Sequence, residues 1–244
     1  MDASTVRKYF ENPRVVSDYA AAAENVGLWE SEKKVFFEYI PKDARVLELG
    51  CGAGRVSIGL SQAGYADITA TDFSPAMVEA AAQLAATRAP DVKCAVCDAT
   101  KIAFPDESFD AVIFAFNGLM QIPRRESRVA ALREIGRVLR RGGVFAFTTH
   151  DRLTPEHAQY WSAEQKQWKC GAQNPVLDDF GDIFYAGDHG SVFIHSPTDG
   201  EVSEALAAAG FSEIFKKLRS RIAEEPPAVV DFSDDCVFRV VKKL

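Results

Sequence analysis

A chain of 244 residues with 47% hydrophobic and 11% aromatic side chains can bury one large core or two small ones. Its formal net charge of −7 argues against a dedicated nucleic-acid or anionic-membrane binder, because both need basic surface. No run reaches the ~18 apolar residues of a membrane-spanning helix, and residues 1–10 mix charge with aromatics instead of forming an apolar leader.

Residues 1–40 read as helical. Val15, Val16, Tyr19, Ala20, Ala23 and Val26 recur at helix spacing, and Gly27 breaks the pattern. Ser31 is the expected cap of a second helix carrying Val35, Phe36, Tyr39 and Ile40, stopped by Pro41. Between them Trp29 is either a core plug or a lid over a site. The apolar run Ala44 to Leu49 reads as a buried strand, and it breaks into Gly50-Cys51-Gly52-Ala53-Gly54. Such a turn lets backbone approach a ligand closely, and the helix start behind it offers free N–H groups. Val56, Gly59, Leu60 and Ala63 form the buried stripe of that helix, with Gly64 at its C-terminal end.

Asp67 to Thr71 is a second strand ending in Asp72. Ser74 caps a third helix, with Pro75 at its first position and Met77, Val78, Ala81, Ala82 and Ala85 inward. Val92 to Cys97 is a third strand ending at Asp98. Its Cys94 and Cys97 form a CxxC, but an offset of three in a strand points them to opposite faces, so no metal site is expected. With Cys51, Cys170 and Cys236 they make five scattered cysteines, read as reduced thiols in a cytoplasmic protein. Phe109 to Phe116 is a fourth strand, broken by Asn117-Gly118. Glu126 to Arg140 is an amphipathic helix whose solvated face carries Arg125, Arg128, Arg133, Arg137 and Arg140. Gly142-Gly143 ends it, and Val144 to Thr149 is a fifth strand.

Alternation of this kind predicts an α/β fold, a parallel sheet covered on both faces by helices. Ligands in such sheets bind beyond the carboxyl ends of the strands, where Gly50, Asp72, Asp98, Asn117 and His150 should converge on one crevice. The chain reads as one domain in four parts: an N-terminal helical cap (1–40), a core (41–150), an inserted cap (151–197), and a C-terminal helix with edge strands (198–244). Residues 151–180 hold Tyr160, Trp161 and Trp168 without clear periodicity. Phe180 to Ala186 and Ser191 to His195 read as a hairpin through Gly187-Asp188-His189-Gly190. A helix from Asp199 to Ala209 follows, then two strands, Phe211 to Leu218 and Cys236 to Val241, that should pair antiparallel.

The glycine turn alone does not choose a ligand. A dinucleotide fingerprint places its third glycine where this chain has Arg55. An acid ends each of the next two strands. Asp72, about 20 residues past the turn, suits the hydroxyls of a ribose; Asp98 suits an adenine amino group; neither suits a phosphate. Phe73 and Met77 could line the same pocket.

These residues resemble the class I S-adenosylmethionine-dependent methyltransferases. The likeness rests on Glu48-Leu49-Gly50-Cys51-Gly52-Ala53-Gly54, Thr71-Asp72-Phe73-Ser74, Cys97-Asp98-Ala99, Phe109-Asp110-Ala111-Val112 and Arg137-Val138-Leu139-Arg140-Arg141-Gly142-Gly143. It implies a Rossmann-like, doubly wound, seven-stranded, mostly parallel sheet with an antiparallel C-terminal edge. It implies S-adenosylmethionine as cofactor and S-adenosylhomocysteine as product. Glu48, Gly50, Cys51, Gly52 and Gly54 would hold the methionine end. Asp72, Phe73, Met77, Asp98 and Ala99 would hold the nucleoside, with Ala115 and Phe116 beside the sulfonium. His150 is the candidate base, and Tyr19, Trp29, Asn117 and Asp151 are candidate acceptor contacts. The aromatic cap suggests a small organic acceptor. No Asn/Asp-Pro-Pro-aromatic motif of nucleic-acid amino-methylating enzymes follows the fourth strand. A non-catalytic module binding a partner through its cap is the alternative.

Overall fold

The computed structural model describes residues 1–187 and 189–244. Three helices come first: α1 (Ala3–Phe10), α2 (Pro13–Asn25) and α3 (Glu30–Tyr39). Asp2 and Asn12 cap the first two by accepting backbone N–H groups. The cap of α3 is Trp29, not Ser31: the Trp29 N–H donates to Glu32 Oε2 at 2.9 Å, while Ser31 lies inside the first turn, where its N–H donates to Glu225.

The core alternates as expected. It runs β1 (Arg45–Leu49), α4 (Arg55–Gln62), β2 (Asp67–Asp72), α5 (Pro75–Arg88), β3 (Lys93–Val96), β4 (Phe109–Phe114), α6 (Arg125–Val138) and β5 (Leu139–Thr149). The inserted part holds α7 (Ala158–Lys169) and a separate hairpin of β6 (Asp182–Gly187) and β7 (Gly190–His195). Asp188, in the expected hairpin turn, lies outside the described residues. The chain closes with α8 (Asp199–Ala208), β8 (Phe211–Leu218), α9 (Pro227–Phe232) and β9 (Val237–Lys243).

The seven-stranded sheet has the order β3-β2-β1-β4-β5-β9-β8. Neighbours from β3 to β5 pair parallel. β9 is antiparallel to both β5 and β8, so one reversed strand separates the edge strand β8 from the rest. Each central strand is apolar on both faces, and side chains divide by alternation. Leu47, Val112, Phe114, Phe145 and Phe147 pack with α6 and α8 on one side. Val46, Ala111, Ile113, Ala146 and Phe238 pack with α3 and α4 on the other.

Four expectations are corrected. β5 begins at Leu139, so Gly142-Gly143 lies within the strand; its pairing shifts from Phe109↔Leu139 to Ala111↔Val144, and Gly142, at φ +76°, supplies the irregular backbone. Arg128 is buried, because Asp179 and Asp182 of the inserted part come over it at 3.0 and 3.8 Å. Ala82 is exposed on α5. The region 151–180 does contain a helix, α7, whose apolar contacts are too sparse to leave a periodic trace: among its described side chains Trp161 is the buried one.

Candidate cofactor and acceptor site

The turn after β1 is positioned from both sides. The Cys51 N–H donates to the Thr71 carbonyl at 2.9 Å, tying the turn to the end of β2. Gly50 and Gly52 have φ of +62° and +53°, where an L side chain is strained. A Cβ at Gly50 would stand 2.6 Å from Phe114 Cε2, and one at Gly52 would stand 2.8 Å from Tyr19 Cδ1. Gly54 is different: it is the left-handed cap of α4, and a Cβ there would meet Ile58 and Ala81, so its role is to start the helix.

A cavity of about 180 Å³ opens before this turn. Gly50, Gly52, Asp72, Phe73, Asp98 and Ala99 line it, with Ala115 and Phe116 from the end of β4. Asp72 Oδ2 accepts the Gly52 N–H at 2.9 Å, and its Oδ1 accepts the Ser74 N–H at 2.8 Å. Burial raises its carboxyl above the ordinary value against the pull of these bonds. Each oxygen keeps a lone pair for a hydroxyl donor. Asp98, on the cavity wall, accepts at Oδ1 from the N–H and hydroxyl of Thr100, both at 2.8 Å, and its second oxygen takes no part in those bonds. From α1, Arg7 lies 5.2 Å over the Phe73 ring, and the Ser74 hydroxyl donates to the Phe10 carbonyl at 3.1 Å. The N-terminal helix therefore covers the cavity.

Glu48, Cys51, Met77 and Asp151 lie off the main cavity, and of the two readings of Trp29 the core plug holds. Glu48 and Cys51 line a small pocket of about 30 Å³ behind the turn. There the Ser57 hydroxyl donates to Glu48 Oε2. Burial pushes the Glu48 carboxyl up to about 7, against the Ser57 bond and the Arg55 charge. Met77 is fully buried under α5 and reaches no cavity. Trp29 is a core plug, 1% exposed, with Arg55 at 4.6 Å and Arg219 at 5.3 Å from its ring. Asp151 turns back on its own loop, where its Oδ1 accepts the Leu153 N–H at 2.9 Å.

The expected single crevice is two cavities. The second, of about 380 Å³, is lined by Asn117 and His150 together with parts of α7, β6, β7 and α9. Phe116 and Gln121 line both and form the partition. Phe116 and Asn117 have φ of +51° and +59°, an uncommon pair of left-handed non-glycine residues that ends β4 in a tight turn. Phe232 of α9 stacks on Phe116 at 4.9 Å and 13°, and Tyr19 meets Phe116 edge-on at 6.2 Å. His150 Nε2 is 3.1 Å from Asn117 Nδ2. Burial lowers the His150 pKa and favours the neutral ring; a ring N–H bonds the Asp235 backbone, which leaves Nε2 to accept from the Asn117 amide.

Gln121, Phe232, Asp231 and Asp234 escaped the sequence reading. Pro226-Pro227 was the available signal, a helix start that would have placed Phe232 on a short helix. The inserted hairpin is also tied to the N-terminal helices: His189 Nε2 lies 2.7 Å from Asp18 of α2. Tyr9 of α1 lies 4.0 Å from where a side chain on Gly190 would begin. Among the described residues no cluster suits a metal ion, and no helix is long and apolar enough to cross a membrane.

Comparison with known proteins agrees with this geometry. Residues 46–143 match the family model described as a methyltransferase domain. An eEF1A lysine and N-terminal methyltransferase homolog of Drosophila melanogaster is 35% identical over 111 residues, 43% of this chain and 16% of that protein. A demethylmenaquinone methyltransferase of Beutenbergia cavernae is 40% identical over 99 residues, 41% of this chain and 38% of that protein. The chain thus spans less than half the length of these relatives. An S-adenosylmethionine-dependent methyltransferase structure from Methanosarcina mazei superposes with a TM-score of 0.69 at 18% identity, covering 89% of this chain and 99% of that one. A [4+2]-cyclase superposes at 0.68 and 19% identity, covering 98% and 95%. The fold is the Rossmann-like methyltransferase fold.

Proposed function

We propose that the chain uses S-adenosylmethionine to transfer a methyl group to a small organic acceptor seated beside Asn117 and His150; the match of residues 46–143 to a methyltransferase-domain model supports it. One observation carries the reading. A glycine cradle that a Cβ would fill, flanked by the half-buried acid Asp72, opens across Phe116 and Gln121 onto a second, roofed cavity. The donor set fits the cofactor: the cradle accepts a compact polar end, Asp72 accepts hydroxyls, and Asp98 with Ala99 faces a base. Gly50 and Gly52 would hold the methionine end, Asp72 the ribose, Asp98, Ala99 and Phe73 the adenine, with Ala115 and Phe116 beside the sulfonium. When bound, the cofactor supplies a methyl carbon carried on a positively charged sulfur.

The work left to the chain is alignment and exclusion of water. Phe116, held between Tyr19 and Phe232, sets the line between the two ligands. A nucleophile that arrives protonated needs a base. His150, neutral and on the cavity wall, takes that proton after exchanging its bond with Asn117 for one to the acceptor. The roof of α7 and the β6–β7 hairpin favours a small molecule over a segment of protein or nucleic acid. Five free thiols suit the cytoplasm. Calorimetry with S-adenosylmethionine tests the cofactor half: binding in the micromolar range is expected, at least about tenfold weaker in Asp72→Asn. Absence of binding at millimolar ligand sinks the reading. Labelled-methyl transfer to a panel of small metabolites tests the acceptor half; labelling of protein alone overturns it.

A further inference from the structure

We propose that the acceptor cavity recognises an organic amine, bound as a cation and as an N–H donor; this rests on the methyl-transfer reading above. Two independent features of the cavity lead there. The first is an unpaired buried acceptor. Asn117 lines the cavity, is 5% exposed, and its Oδ1 has no hydrogen-bond partner among the described residues. Its orientation follows from its neighbour. A ring N–H of His150 bonds the Asp235 backbone, so the neutral ring accepts at Nε2; the Asn117 amide nitrogen then faces it at 3.1 Å and the carbonyl oxygen faces away. An orphaned buried oxygen calls for a donor, and an N–H supplies one.

The second feature is charge. Asp231 and Asp234 both line the cavity, and neither carboxylate has an ion-pair partner among the described residues. No lysine or arginine lines the cavity among those residues, and its histidine nearest the partition, His150, is uncharged. Asp231 and Asp234 are exposed at the cavity rim, and two carboxylates there with no lysine or arginine among the lining residues favour a cation over a neutral or anionic ligand. The rest of the wall agrees: Phe116, Tyr160, Trp161, Tyr185 and Phe232 offer aromatic faces, which attract ammonium groups and apolar carbon alike. An anionic acceptor would meet two carboxylates and no donor cluster. A neutral alcohol would satisfy Asn117 but gain nothing from the acids.

The test uses two size-matched pairs, benzylamine against benzyl alcohol and tryptamine against tryptophol. Their affinities are measured by calorimetry on the full chain with S-adenosylhomocysteine bound. The amine of at least one pair should bind about tenfold more tightly than its alcohol. In the double variant Asp231→Asn/Asp234→Asn that preference should vanish, while S-adenosylhomocysteine affinity stays unchanged because neither residue lines the cofactor cavity. Equal affinity within both pairs, no amine binding at millimolar concentration, or a preference that survives in the double variant overturns the proposal. Failure of S-adenosylhomocysteine itself to bind removes the methyl-transfer reading instead. The same pairs measured on the chain alone then decide the amine question by the same criteria.

Discussion

Gly52 and Glu48 both line the small pocket at the glycine turn, yet they govern different properties. Gly52 has both a positive φ and a neighbour in the way, so Gly52→Ala strains the backbone and pushes Tyr19. We expect a stability loss of about 1–3 kcal/mol and at least about tenfold weaker cofactor binding, read by urea denaturation and calorimetry. Glu48 makes a pH-dependent contribution. Its folded pKa is raised to about 7 from an ordinary 4.5, so between those values the unfolded chain releases a proton that the folded chain keeps. Stability therefore falls as pH rises from about 4.5 to 7, by roughly 3 kcal/mol in all, and the penalty is absent below the unfolded pKa. Glu48→Gln should flatten that slope in denaturation curves measured between about pH 4.5 and 7; an unchanged slope would exclude Glu48 as its source. The cavity formed by Gly50, Gly52 and Asp72 was legible because it is local to two strand ends. That Glu48 lines a smaller pocket and Met77 the core was not, because adjacency in a motif does not say which side of the backbone a side chain takes.

Among the elements, α3 and α4 are joined by a buried fork. Arg55 donates to both carboxylate oxygens of Glu32 at 2.6 Å and to the Gly27 carbonyl at 2.8 Å, with the two side chains 8% and 1% exposed. Arg55→Met leaves Glu32 buried and unpaired, and should cost about 3–5 kcal/mol. Arg55→Met/Glu32→Leu should recover most of that, because both charges then leave together. Denaturation of the three proteins checks the sign; a double variant as unstable as the single one would mean that the loss comes from Trp29 packing instead. In the sequence Arg55 stands only as the residue where a dinucleotide fingerprint has glycine. Its structural partner is 23 residues back in the chain, beyond any local pattern. Helix ends show the contrast: the Ser74 cap and the Gly64 stop were readable because their partners lie within four residues. Arg128 was placed in solvent because Asp179, its partner, arrives from the inserted part.

At the scale of the whole molecule, alternation of strand and helix was enough to give the sheet and to bring Gly50, Asp72, Asp98, Asn117 and His150 to one end of it. It could not show that Phe116 divides that end in two. The division depends on α9, a helix of 6 residues inside what reads as an edge connection. The inserted hairpin that roofs the acceptor cavity and the helices that cover the cofactor cavity are themselves fastened to each other through Asp18 and His189 and through the approach of Tyr9 to Gly190. Two covers that share a seam open together. A molecule occupying the acceptor side thereby delays departure from the cofactor side: S-adenosylhomocysteine should dissociate more slowly when the acceptor cavity is filled, and His189→Ala should abolish that delay in stopped-flow release. Turnover would then be paced by the parting of the covers, with both spent ligands leaving on one clock.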